Sequence, residues 1–261
     1  MIAGEILLGA ALGFIAGLTG AGGAALAVPG LVFLLGAPAV TAVATTFPFT
    51  AIMKVFGSVQ HLRQGSVNWN ASTDLFLGTI PGTAAGILII SHLVSTFGEV
   101  FNEWLKAAIG LLLIISIGLS YVARRRTKAK PTVQWGNRNL LGIAAAAFCG
   151  VVIGGTSVGG GSLLIVVLTL FYRVTPAQIV GTSMVVSLVL MIVGTVGFWT
   201  EGLADLGLVW RLSIGAIPGV ILGSIMTLRV SPNLLARVIT AAIAVAGLSL
   251  MIDGILGLTA A

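Results

Sequence analysis

The 261-residue chain is 57% hydrophobic and only 8% charged, with a mean hydropathy of +1.14. An ordinary soluble domain carries roughly 25% charged residues, so this composition excludes a water-soluble globular protein. The formal net charge of +6 does not mark a nucleic-acid binder either, because most of the basic excess sits in one short stretch.

Apolar runs cover residues 2–19, 24–35, 41–59, 75–95, 104–122, 139–157, 161–171, 179–199, 207–228 and 237–256. Several reach the roughly 20 residues that a helix needs to cross about 30 Å of hydrocarbon. The pattern predicts an all-α polytopic membrane protein, in which many of the 36 glycines serve close helix packing. The first run carries Glu5 and no early Lys or Arg, unlike the positive start of a signal peptide, so it is expected to belong to the fold. The runs at 24–35 and 161–171 hold 12 and 11 residues. At ~1.5 Å per residue they are too short to span alone. Each follows a glycine-rich break, Thr19-Gly20-Ala21-Gly22-Gly23 in one case and Thr156-Ser157-Val158-Gly159-Gly160-Gly161 in the other.

Charge orients the loops. Arg124, Arg125, Arg126, Lys128, Lys130 and Arg138 form a basic linker, which the excess of Lys and Arg in cytoplasmic loops assigns to the inside. The loop around Ser95–Glu103, with Glu99 and Glu103, is then expected outside, and Gln60–Asp74, with His61 and Arg63, inside. Thr200–Leu206 carries Glu201 and Asp205 and reads as outside; Arg229–Arg237 reads as inside.

The chain also repeats itself at a fixed offset of 137 positions. Gly13, Gly17 and Gly22-Gly23 fall on Gly150, Gly154 and Gly159-Gly160; Thr45 falls on Thr182, Gly57 on Gly194, and Ile80-Pro81-Gly82 on Ile217-Pro218-Gly219. The equivalent loops Gln60–Asp74 and Gly197–Arg211 carry opposite charge. The expected architecture is therefore two inverted-topology repeats, residues 1–123 and 139–261, joined by the linker 124–138. Each has about five helical segments, including a short half-helix after its glycine break, and both termini lie outside. Short, Gly-interrupted segments at matching positions of two halves point to a carrier's binding site.

A glycine run at membrane depth leaves backbone N–H and C=O groups without helical partners, so it must be buried in protein or line a wet cavity. A helix that starts after such a break directs free N–H groups and the positive end of its dipole at whatever sits there. Thr19, Gly20, Gly22 and Gly23, with Thr156, Ser157, Gly159, Gly160, Gly161 and Ser162, are accordingly candidates for an anion site, against the plain reading that they pack helices tightly. The matched doublets Thr45-Thr46 and Thr182-Ser183 could add hydroxyl donors; lone hydroxyls such as Thr50 and Ser187 read more simply as bonded to their own helix. Lys54, midway along an apolar run, is a candidate charge partner with His61 and Arg63 as gate candidates, and snorkelling to the interface is its rival account. Pro81 and Pro218 are expected to kink or break their helices and are hinge candidates.

Carboxylates are scarce inside the runs, which leaves no acidic proton relay. No P-loop, HExxH or Cys/His metal spacing occurs, so no metal or cofactor is expected and an ATPase or metalloenzyme is disfavoured. The single cysteine, Cys149, excludes an internal disulfide and reads as apolar packing.

GFIAGLTGAGGAALAVP, ATT, HLRQGSVNW and TIPGTAAG in the first half, with GVVIGGTSVGGGSLL, GTS and AIPGVILG in the second, resemble the sulfite/organosulfonate exporter family (TauE/SafE-like) over nearly the whole chain. The resemblance implies a transporter of the prokaryotic plasma membrane that exports small sulfur-containing anions such as sulfite, sulfonates or related carboxylates. Its partners would be that anion and membrane lipid, with no nucleic acid. The first copy departs at Ala24 and Ala25, where the second has Gly161 and Ser162, so the halves are expected to contribute unequally. Import, or exchange of another small organic anion, remains open at this point. So does a different class, a membrane scaffold or an intramembrane enzyme, although the runs hold no nucleophile–base pair and a scaffold needs no matched glycine breaks.

Overall fold

The computed structural model describes residues 2–19, 23–126, 140–226 and 232–260. Among them the chain forms α1 (Ile2–Thr19), α2 (Gly23–Leu35), α3 (Ala39–Arg63), α4 (Trp69–Phe97) and α5 (Val100–Arg126), then α6 (Leu140–Thr156), α7 (Ser162–Phe171), α8 (Pro176–Thr200), α9 (Leu206–Met226) and α10 (Pro232–Ala260), and no strand. Gly20, Ala21 and Gly22, most of the basic linker and Arg229 lie outside the described residues.

Local chemistry starts the long helices. The Asn68 side chain caps α4 by accepting from the Ala71 N–H, and Thr175 with Gln178 forms a reciprocal capping box on α8, with Pro176 at its first position. Six helices are long and apolar enough to cross a membrane among the described residues, in α3, α4, α5, α8, α9 and α10. Large apolar side chains such as Leu88, Phe148, Leu222 and Ile225 face outward, a surface that suits lipid and not water.

Each half opens with a hairpin. α2 folds back along α1, so that a Cβ on Gly30 would touch Leu8; the end of α7 returns to the start of α6, where a Cβ on Gly142 would lie 2.7 Å from the Tyr172 hydroxyl. The halves then interlock by exchange. α1 packs along α9 and α4 along α6, in parallel. Gly9, Gly13 and Gly17 face the backbone of Leu212, Ala216 and Val220, and Gly215, Gly219 and Gly223 face the backbone of Ile6, Ala10 and Phe14. The offset maps this seam onto Gly78, Gly82 and Gly86 against Ile143, Ala147 and Val151. At these positions a Cβ would collide with a carbonyl oxygen of the neighbouring helix. Close backbone approach is how membrane helices associate where no hydrophobic force separates protein from lipid.

Equivalent helices instead cross each other antiparallel. In α3 and α8, Phe47 meets Gly194 and Gly57 meets Met184; in α5 and α10, Gly110 meets Met251 and Ala107 meets Gly254. Lys106 joins the second pair by bridging Glu103 and Asp253 at 2.9 Å each, and Arg211 pairs with Glu5 between α9 and α1. These contacts place Glu5, Glu99, Glu103, Glu201, Asp205 and Asp253 at one end of the bundle, the end of the chain termini. The opposite end, where α5 finishes and α6 begins, carries His61 and Arg63. It is called the linker end below.

Candidate functional site

The crossing of α3 and α8 is centred on Ile52 and Val189, which the offset makes equivalent. Four of the buried polar side chains, Thr50, Lys54, Ser58 and Ser187, gather there. Lys54 is 6% exposed, and its Nζ donates to Ser187 Oγ at 2.9 Å; Ser187 in turn donates to the Met184 carbonyl at 3.0 Å. One turn before Lys54 on α3, Thr50 is 1% exposed, and its hydroxyl has no partner among the described residues. Ser58, one turn after, donates to the Met184 carbonyl at 3.3 Å. Among the described residues no carboxylate pairs with Lys54.

A cavity of about 480 Å³ leads to this crossing. Its walls are the second halves of α1 (Ala16, Gly17), α3 (Thr50 to Gln60) and α9 (Ile217 to Ser224), with Met184 from α8. All three helices run toward the linker end there, so the cavity lies between the middle of the bundle and that end. Lys54 and Thr50 line it toward the middle of the bundle, Gln60 and Ser224 toward the linker end.

The equivalent space in the other half is filled. The offset converts Gly57, Gln60, Met184 and Ser224 into Gly194, Gly197, Phe47 and Ile87. Phe47 lies directly against Gly194, and a Cβ on Gly197 would meet Ile87 Cδ1 at 2.8 Å. Phe47 also packs on Phe198, with ring centroids 5.4 Å apart, and both rings are fully buried. Phe198 is the counterpart of His61.

The second glycine break reaches the same crossing. Ser157 and Gly159 have positive φ, 59° and 83°, so the chain turns sharply between α6 and α7. A non-glycine residue in that region is uncommon and marks a functional or strained position. The Ser157 hydroxyl is fully buried with no partner among the described residues. Thr156 donates to the Val152 carbonyl and accepts from the Val158 N–H. Gly160 sits on α8, where a Cβ would lie 2.8 Å from Met191 Cε and 3.7 Å from Ser187 Cβ. No side chain caps α7 at Gly161, and Ser162 begins the helix. The corresponding break at Gly20 and Gly22 lies outside the described residues; Thr19 ends α1 and Gly23 begins α2.

The hydroxyl doublets bond to backbone groups. Thr45 Oγ1 accepts from the Asp205 N–H at 3.1 Å and Thr182 Oγ1 from the Asn68 N–H at 2.9 Å, a pair of bonds related by the offset. Thr46 and Ser183 donate to carbonyls of their own helices, Ala42 and Val180. Ser187 bonds to its own helix as expected, through the Met184 carbonyl, and also accepts from Lys54; Thr50 has no such bond among the described residues and shares the cavity wall with Lys54. Two signals pointed there: Thr50 precedes Lys54 by one helical turn, and Ser187 is the repeat equivalent of Thr50.

At the linker end His61 Nδ1 lies 2.9 Å from Ser66 Oγ, and Arg63 is exposed. Neither Pro81 nor Pro218 breaks its helix: α4 and α9 run through both, and the prolines are exposed while the adjoining Gly82 and Gly219 are buried on α6 and α1. Exposure toward lipid leaves the proline ring free of the packed seam, and the helix continues past it.

Membrane-length helices around a buried polar cluster, with a cavity against it, are the architecture of a polytopic membrane transporter. The sequence model of the family described as Sulfite exporter TauE/SafE matches residues 6–250, and the chain belongs to that family. It is similar to the probable membrane transporter protein YjnA of Bacillus subtilis (strain 168), 33% identical over 94% of this chain and 98% of the relative. It is also similar to the probable membrane transporter protein YdhB of the same organism, 28% identical over 92% of this chain and 96% of the relative. No solved structure matches the chain.

Proposed function

We propose that the protein exports small sulfur-containing anions, sulfite or organosulfonates, across the plasma membrane of a prokaryote, by alternating access past the α3–α8 crossing. The observation that carries this reading is the unequal state of two equivalent spaces. One holds a cavity that Lys54 lines, on the linker-end side of the crossing; the other is filled by Phe47, Phe198 and Ile87. A carrier needs a central site that faces one side at a time, and two halves of the same sequence in different states supply that asymmetry.

The antiparallel crossings of α3 with α8 and of α5 with α10 support two copies inserted in opposite senses. The basic linker 124–138 then puts the linker end in the cytoplasm and both termini outside, and the open cavity is the inward-facing one. The glycine breaks, residues 19–25 and 156–162, serve as the backbone halves of the site. His61 and Met184, the counterparts of Phe198 and Phe47, close the inner path when the outer one opens. A buried cation with no carboxylate partner among the described residues favours an anion as cargo. An inside-negative potential expels a monovalent anion at about 2.3 kcal/mol per 100 mV, so no proton relay is required.

Efflux of labelled sulfite or ethanesulfonate from proteoliposomes tests this. The rate should exceed that of protein-free vesicles; equal rates contradict the reading.

A further inference from the structure

Lys54 has no twin. The offset places Met191 where a second lysine would complete the two-fold arrangement, and it maps the Lys54–Ser187 hydrogen bond onto a 191–50 pair. Methionine cannot make that bond, so the Thr50 hydroxyl lacks the donor that Ser187 accepts from; nor does it donate as Ser187 does to the Met184 carbonyl, and it has no partner among the described residues. The crossing therefore holds one positive charge, not two. An ammonium has three N–H donors, and Ser187 takes one. Lys54 and Thr50 both line the cavity, and the Thr50 hydroxyl, buried in its wall, has no protein partner among the described residues.

Resting on the anion-carrier reading above, we infer that this site takes one monovalent oxyanion: Lys54 supplies its countercharge, the Thr50 hydroxyl donates to it, and Ser187 positions the lysine. A buried unpartnered hydroxyl and a buried unpaired ammonium are both costly, and a singly charged oxyanion satisfies both at once. A dianion leaves one negative charge uncompensated in an apolar wall formed by residues such as Met53, Met184 and Ile217. The site thus selects by charge before it selects by size.

Methanesulfonate and sulfate share a tetrahedral sulfur head and differ by one charge, so their binding to the purified full-length protein, measured by calorimetry, isolates this property. The wild type should bind methanesulfonate at least about tenfold more tightly than sulfate. Lys54→Met should weaken methanesulfonate binding by at least about tenfold, the scale of a lost hydrogen bond to a charged group. Lys54→Arg should keep the preference for the monoanion. Met191→Lys should place a second ammonium beside Thr50 and shift the preference toward sulfate by about tenfold or more. Gel filtration and thermal unfolding establish which variants fold; if Lys54→Met does not, the arginine and Met191→Lys variants carry the test. A wild type that prefers sulfate, or a folded Lys54→Met with unchanged affinity and preference, overturns the inference while leaving transport intact. A wild type that binds neither anion and gives no efflux overturns the carrier reading and the inference together.

Discussion

Lys54 Nζ and Ser187 Oγ lie 2.9 Å apart across the crossing of α3 and α8, joining the two halves of the chain at the inner end of the cavity. Ser187 can accept this bond because its own hydrogen goes to the Met184 carbonyl. Replacing Ser187 by Ala removes the acceptor that holds the ammonium in place. Anion binding should weaken by about 1 kcal/mol, roughly fivefold, and Ser187→Thr should restore it. Calorimetry with a sulfonate reads both values.

The glycine seams make a steric prediction. A Cβ on Gly82 would collide with the Ala147 carbonyl oxygen, and one on Gly219 with that of Ala10, whereas Gly4 and Gly118 have nothing within 4 Å. Gly82→Ala and Gly219→Ala should destabilise by about 1–3 kcal/mol, because backbone must move. Gly118→Ala should be neutral or slightly stabilising, since alanine costs a helix less than glycine. Thermal unfolding in detergent separates the two groups; similar midpoints for Gly82→Ala and Gly118→Ala contradict the seam.

Thr45 and Thr182 are staples between halves. Each accepts from the backbone N–H of the residue just before a helix of the other repeat, Asp205 or Asn68. Thr45→Val and Thr182→Val should each cost about 1–2 kcal/mol of stability and leave anion affinity unchanged. Unchanged stability with lost affinity would make these hydroxyls ligands instead.

Phe47 fills the space that the offset makes equivalent to the cavity, against Gly194 and Phe198, and is proposed to gate it. In a Cys149→Ser background, Ser224→Cys should react with a membrane-impermeant thiol reagent from the linker side. Ile87→Cys, at the equivalent buried position, should resist the reagent from both sides. Adding Phe47→Ala should expose Ile87→Cys from the side of the termini, because removing the ring empties the space against Gly194. Continued protection there contradicts the gate.

The elements were legible in the sequence because hydropathy and glycine punctuation report burial in lipid directly. The ten apolar runs correspond to the ten helices of the described residues, and the two short runs are α2 and α7. What the offset could not reveal is which helices exchange partners. Gly82 and Gly219 stand out beside prolines, yet it is the glycines that meet α6 and α1, and the prolines face outward. Matched doublets likewise suggest a shared role without naming the partner: the Asn68 and Asp205 N–H groups lie in loops 114 and 160 positions away. Lys54 was visible as an intramembrane charge. Its dependence on Ser187 was not, since a lone serine in an apolar helix usually bonds to its own backbone.

The most direct test of export past a single cationic site is the response of flux to voltage. In proteoliposomes loaded with ethanesulfonate, an imposed inside-negative potential should accelerate efflux in proportion to its size, with no proton or sodium gradient present, and Lys54→Met should abolish the response. Efflux that is indifferent to the potential and appears only with a proton or sodium gradient would contradict it.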